Sequence, residues 1–213
     1  MTQLYLTRHG ETEWNAQKRM QGRLDSALTK HGEEQAKRLG QRLHTHPLDV
    51  IYSSTSGRAV QTSQLIKGER DIPIILDANL QEMSFGRWEG MTYHEIQSND
   101  EPNASQYNHF WNNPHLFEPF NGGETFSDVE QRVLTVVKRI VQENYGKSIL
   151  LVSHAVVIKL ILAFYEKTAL EKLWEGPFLY GASLSHIDFS DPEAPKVILY
   201  GDSSHERNTI DQS

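Results

Sequence analysis

In the stretch LYLTRHGETEWN, Leu4 to Asn15, an arginine and a histidine, Arg8 and His9, follow directly on the first short apolar run. That run is too short for anything but a strand, so two polar groups stand at a strand end. Much later, SILLVSHA repeats the arrangement: His154 follows the apolar run Ser148 to Ser153 and precedes Ala155. A neutral imidazole keeps a free lone pair on one ring nitrogen and can attack an electrophile. One such histidine alone reads more simply as a satisfied structural group; two at strand ends shift the weight towards chemistry. Gly10 lets backbone come close to a ligand, and Ala155 opens a helix whose free N–H groups favour an anion.

Two further segments supply matching groups. SSTSGRAVQT places Arg58 in the first turn of a helix, where a cation opposes the helix dipole unless an anion sits beside it. With Arg8 it makes two guanidinium forks, the side chain best shaped to grip phosphate. LQEMSFGRWEGMT offers two acids, Glu82 and Glu89, either of which also reads as a solvated surface group. An acid beside bound phosphate has its pKa raised and can protonate a leaving oxygen. Two histidines, two arginines and one acid make a pocket for a phosphoryl group, whose transfer needs charge neutralisation and an in-line nucleophile.

Other chemistries find less support. The chain has no cysteine, which excludes disulfides, thiolate nucleophiles and cysteine-held zinc or iron–sulfur centres. Ten histidines invite metal, but no H-E-x-x-H and no Asp/His cluster at ligand spacing occurs. G-x-x-x-x-G-K-[ST], G-x-G-x-x-G and G-x-S-x-G are also missing. The expectation is no metal and no cofactor. A net charge of −7 argues against nucleic acid and anionic membrane as partners, while leaving room for a locally positive pocket. MTQLYLTRHG carries no secretory pattern, and the apolar stretch Val156 to Phe164 is short and broken by Lys159. The expected location is the cytoplasm. Whether the chain forms a homo-oligomer stays open.

The elements that must position these groups follow from periodicity. Leu4 to Thr7 is a strand and Gly10 to Leu28 a loop. Thr29 caps a helix with Ala36, Leu39 and Leu43 on one face, ended by Pro47. Asp49 to Ser54 is a second strand, followed by a helix near Ser56 to Ile66. Ile72 to Leu76 is a third strand, placed near an edge by Pro73. Residues 78–124 scatter Phe85, Trp88, Tyr93, Tyr107, Phe110, Trp111, Phe117 and Phe120 among Asn, Pro and His, which reads as short helices and loop laid over a site. Ser127 and Glu130 have capping-box spacing before a stripe of Val129, Val133, Val136, Val137, Ile140 and Val141. Ser148 to Ser153 is a central strand, followed by a buried helix to about Phe164. Thr168 and Glu171 predict one more capped helix; ASLSHIDF and KVILY predict the last strands. Strands alternating with helices mean α/β layers around a mainly parallel sheet, with ligands outside the carboxyl ends of the strands. His9 and His154 both stand at such ends.

With these motifs in place, the chain resembles the histidine phosphatase superfamily, the phosphoglycerate mutase-like proteins. LTRHGETEWN matches the family's R-H-G-x-T signature. The likeness continues in order through QGRLDSALTKHGEEQAKRLG, IYSSTSGRAVQTS, LQEMSFGRWEGMT, FNGGETFSDVEQRV and ILLVSHAVVIKLIL. The resemblance implies a three-layer α/β/α sandwich with one antiparallel strand, for which ASLSHIDF is the candidate. It implies a single domain over residues 1–213 with a cap excursion at about 85–124. It makes His9 the nucleophile that becomes a phosphohistidine, and Arg8, Arg58 and His154 the phosphate pocket. Glu82 becomes the proton donor and later the base for water. Asn15 and the backbone after His154, at Ala155, add phosphate contacts; Gln21 and Gly22 lie on the substrate side.

Within the superfamily, the cofactor-dependent mutases carry E-R-x-Y-G-x-L-x-G-L after the acid and a proline-rich basic insertion, and this chain has neither. It therefore looks like a compact broad-specificity phosphatase of the PhoE type, which the closing YGDSSHE also resembles, acting without metal on small organic phosphate monoesters. The aromatics from Tyr107 to Phe120 suit an apolar leaving group, or equally a simple cap core. Thr7 before the arginine and Ser63 after Thr62 depart from the usual pattern without removing a functional atom. The alternatives are a phosphoglycerate mutase, a specialised sugar-phosphate or alpha-ribazole phosphatase, a regulator that binds a phosphorylated partner without turnover, and a metallohydrolase.

Overall fold

Apolar side chains at alternating positions cover both faces of a six-stranded sheet. A computed structural model describes residues 1–98, 102–119 and 122–206. The strands are β1 (Thr2–Arg8), β2 (Val50–Ser54), β3 (Ile74–Asp77), β4 (Ser148–Ser153), β5 (Leu184–Phe189) and β6 (Lys196–Asp202), in the order β3-β2-β4-β1-β5-β6. β1 to β4 run parallel, and β5 runs antiparallel to both its neighbours, so ASLSHIDF supplies the expected antiparallel strand. β3 is an edge, with the Pro73 carbonyl accepting from the Ile51 amide at 2.9 Å just before it.

The two-residue period of the strands separates the core into two layers. Leu4, Leu6, Ile149 and Leu151 face one way; Ile51, Leu150 and Val152 face the other. The helices are α1 (Glu13–Ala16), α2 (Lys30–Arg42), α3 (Gly57–Lys67), α4 (Tyr93–Ser98), α5 (Asn103–Asn112), α6 (Phe126–Glu143) and α7 (Ala155–Glu166). Ala36 and Leu39 of α2 and Ala59 and Ile66 of α3 pack on one layer; α6 and α7 pack on the other. The result is a mainly parallel sheet between helices, as the alternation of elements demands.

α6 forms because Val129, Val133, Val136, Val137 and Ile140 lie on one stripe, and all are buried. Each such side chain contributes about 1.5–3 kcal/mol by leaving water. Its start differs from the expected Ser127–Glu130 box. Thr125 is the cap: its Oγ1 accepts from the Asp128 amide at 3.1 Å, and Asp128 Oδ2 accepts from the Thr125 amide at 2.9 Å. Both pairs have the right spacing, and burial of Phe126 draws the first turn two residues earlier. The capped helix expected from Thr168 and Glu171 is instead a single tight turn, Leu170–Lys172, with no side-chain cap. Leu173, which follows that turn with helical dihedrals, is buried. The expected loop after His9 also contains α1, capped by Thr12 and Asn15.

Phe85, Trp88, Tyr107, Phe110 and Phe117 join the same apolar cluster as the α6 and α7 layer. Trp174 ties the chain after α7 to this segment, its indole N–H donating to the Phe110 carbonyl at 2.6 Å. Phe120, named with these aromatics above, lies outside the described residues. Among the described residues no helix is long and apolar enough to cross a membrane.

Candidate active site

The carboxyl ends of β1, β2 and β4 open on one cleft of about 320 Å³. Parallel pairing of β1 with β4 sets Arg8 opposite Ser153, which brings His9 and His154 together one residue further on. Their ring centroids are 5.2 Å apart. Arg8, His9, Asn15, Gln21, Gly22, Arg58, Glu82 and Ala155 all border the cleft. His154 does not; it is fully buried behind Arg58.

His9 Nδ1 lies 2.8 Å from the carbonyl oxygen of Gly10. A carbonyl only accepts, so Nδ1 carries the proton and Nε2 keeps the lone pair. Burial, then the charges of Arg58 and Arg8, hold this imidazole well below its ordinary pKa, against the pull of the Gly10 bond. His9 is therefore neutral at neutral pH. The Gly10 turn is held in place on both sides. Its amide donates to Thr62 Oγ1 at 3.0 Å, and a Cβ on Gly10 would meet the Gly32 carbonyl oxygen at 2.3 Å. Thr62 in turn donates to the Arg58 carbonyl at 2.7 Å, joining the histidine turn to α3.

Arg58 is 1% exposed. Its Nη1 donates to the Leu24 carbonyl at 2.7 Å and to Asp25 Oδ1 at 2.8 Å. Its Nη2 donates to the Gly22 carbonyl at 2.9 Å and to His154 Nδ1 at 3.2 Å. The anion expected beside this helix-opening cation is thus Asp25, in part. Sequence reasoning passed over Asp25, although it stands inside the quoted QGRLD. Because Arg58 donates to Nδ1, the His154 proton sits on Nε2 and goes to Ser54 Oγ at 2.8 Å. Burial, then Arg58 and His9, depress the His154 pKa strongly as well. Ser63, an unusual residue after Thr62, is buried and satisfied by the Ala59 carbonyl at 2.8 Å. Thr7, also buried, donates weakly to the Arg8 carbonyl at 3.3 Å.

Glu82 and Glu89 separate clearly. Glu89 serves as a backbone anchor, accepting from the amides of Arg23 and Phe85 at 3.0 Å each and of Leu24 at 3.2 Å. It stands so close to Gly22 that a Cβ there would meet its carboxylate at 2.3 Å, and Gly22 also has φ +56°. Glu82 is buried at the cleft, and burial raises its pKa over the opposing effects of the Met83 and Val156 amides and of Arg58 and Arg8.

The other expected residues have more mixed surroundings. Asn15 Oδ1 accepts from the Thr12 amide at 3.2 Å, completing the α1 cap. Gln21 donates to Thr12 Oγ1 at 2.8 Å and accepts from Ser26 at 3.2 Å. Arg8 Nη1 donates to the Leu179 carbonyl at 2.9 Å. The Nε atoms of Arg8 and Arg58 are buried and have no partner among the described residues. Sequence reasoning missed the far wall, where Lys159, Trp174, Phe178 and Leu179 border the cleft. Arg8, Arg19, Arg58 and Lys159 against Glu82 make the cleft locally cationic in a chain of net charge −7. Among the described residues no group of three or more His, Asp and Glu is placed to hold a metal ion.

Comparison with known proteins gives a consistent set of relatives. The family model described as "Histidine phosphatase superfamily (branch 1)" matches residues 4–203. The solved structure of Bacillus stearothermophilus YhfR is similar with TM-score 0.91 and 45% identity, covering 96% of this chain and 99% of the other. Phosphoserine phosphatase 1 of Hydrogenobacter thermophilus is 33% identical over 82% of this chain and 81% of its own. Adenosylcobalamin/alpha-ribazole phosphatase of Escherichia coli is 33% identical over 80% and 82% respectively.

Proposed function

This chain belongs to the histidine phosphatase superfamily and is a phosphoric monoester hydrolase, and we propose that it hydrolyses small organic phosphate monoesters through a phosphohistidine at His9, without a metal ion. The observation that carries the reading is the His9–Gly10 hydrogen bond, which leaves Nε2 unprotonated beside two guanidinium groups.

In the first step the Nε2 lone pair of His9 forms a bond to phosphorus as the bond to the ester oxygen breaks. Glu82 delivers its proton to that oxygen, and the alcohol leaves. In the second step water attacks phosphorus, the N–P bond breaks, and Glu82 takes the water proton. Arg8 and Arg58 neutralise the charge spread over the outer oxygens, and His154 closes the pocket behind Arg58. Asn15, Gln21, Gly22 and the backbone at Ala155 border the space for phosphate and ester. The segment at about 85–124 acts as a cap whose aromatics face the leaving group.

The test is turnover of p-nitrophenyl phosphate in excess EDTA by the wild type and by His9→Ala. We expect the wild type to be active and the variant inactive. Denaturing the wild type in alkali during turnover should trap phosphate on His9, acid-labile and base-stable. Activity in His9→Ala, or its loss in EDTA, overturns the proposal.

A further inference from the structure

In the sequence, Lys159 only interrupts the apolar run of α7. In the fold, Ala155, Val156 and Lys159 share the helix face that borders the cleft. Lys159 is 3% exposed, and its Nζ has no hydrogen-bond partner among the described residues. An aromatic ring face is what its surroundings give the charge, at cation–π distance and without a hydrogen bond. Nζ lies 5.1 Å from the centre of the Tyr200 ring, and a Cβ on Gly176 would come within 3.4 Å of it. Glu166, two turns further along α7, favours the charged form electrostatically but makes no ion pair with it. Burying an ammonium without a hydrogen-bond partner is unfavourable even over a ring face, and the usual remedy is an anion with good hydrogen-bond geometry.

Among the described residues, the buried cationic donors that border the cleft and lack a hydrogen-bond partner are Arg8 Nε, Arg58 Nε and Lys159 Nζ. The first two belong to the phosphoryl pocket. Lys159 lies about 6 Å along the helix axis from Ala155. Its Nζ stands beside Gly176, which also borders the cleft. A rise of about 6 Å is within the reach of a two- or three-carbon chain. The wall on this side, Phe110, Trp174, Phe178 and Leu179, gives a short carbon chain apolar contact.

Resting on the phosphomonoesterase reading above, we propose that Lys159 binds a carboxylate on the leaving group. Small phosphate esters of hydroxy acids are then the preferred substrates. A single ammonium, with one charge and three donors, suits a carboxylate.

The test compares phosphoglycolate with ethyl phosphate, which differ by that carboxylate, and uses p-nitrophenyl phosphate as the activity control. The wild type should favour phosphoglycolate by about tenfold or more in kcat/KM, with the difference in KM. Lys159→Met should bring that ratio near one, and Lys159→Arg should keep it well above one. A wild-type ratio near one, with p-nitrophenyl phosphate turned over, overturns the Lys159 proposal and leaves the phosphatase reading standing. No turnover of any of the three overturns the phosphatase reading itself. If Lys159→Met slows all substrates equally, Lys159 is a packing residue and the proposal fails. Because the wild-type ratio needs no variant, the test survives a Lys159→Met protein that does not fold.

Discussion

Glu82 lies across the N-terminus of α7, its Oε2 accepting from the Val156 amide at 3.3 Å while Oε1 accepts from its neighbour Met83 at 2.9 Å. Both bonds and the nearby guanidiniums favour the carboxylate, yet burial prevails and raises its pKa. The side chain is also held from behind. Arg132 donates to the Glu82 carbonyl at 3.2 Å, and its partner Glu124 accepts from the Ser84 amide at 2.8 Å. A dianionic phosphate beside it would raise the pKa further.

Glu82→Gln keeps the shape and removes the transferable proton. Turnover of ethyl phosphate should fall by about a hundredfold or more, the usual value of general acid catalysis. p-Nitrophenyl phosphate, whose leaving group needs little protonation, should be slowed much less. Equal slowing of the two esters would count against Glu82 as the acid.

Stability should fall as pH drops below histidine's ordinary 6.5, because His9 and His154 are both held neutral by burial and by Arg58. Their folded pKa values are depressed, so below 6.5 the unfolded chain binds protons that the folded chain refuses. Each such group contributes a slope of about 1.4 kcal/mol per pH unit until its folded pKa is reached. Glu82, with its pKa raised, works in the opposite direction above 4.5. Two histidines outweigh one acid. Denaturant midpoints measured from pH 7.5 down to 5.5 check this, and His9→Asn should flatten the decline. A midpoint that holds steady over that range would contradict the neutral pair.

Gly32→Ala should destabilise the protein although alanine is the better helix former by about 1 kcal/mol. The new Cβ would stand 2.0 Å from the Glu11 carbonyl oxygen. That oxygen already accepts from the Thr29 amide at 2.9 Å, so the loop has little freedom to move away. Overpacking of this kind costs about 1–3 kcal/mol. Activity should fall as well, because Gly10, packed on Gly32, orients the His9 ring. Urea denaturation and kcat on the same preparation separate the two effects.

Much of this was legible in the chain because the signals are local. Apolar runs ending in RHG and SHA located β1, β4 and two histidines at strand ends, and the α6 stripe located its buried face. Local signals also set the limit. Ser127–Glu130 and Thr125–Asp128 have the same spacing, and only burial of Phe126 chose between them. Glu82 and Glu89 look alike in sequence until Glu89 is seen holding three backbone amides.

By itself the sequence determined which residues stand at strand ends and which faces are apolar, since these depend on neighbours a few positions apart. Only tertiary structure decided that Asp25 braces Arg58, that His154 lies behind that arginine and that Lys159 is buried without a hydrogen-bond partner among the described residues. Those outcomes depend on strand order and on which groups lose their water, and such desolvation arises only when segments far apart in the chain pack against one another.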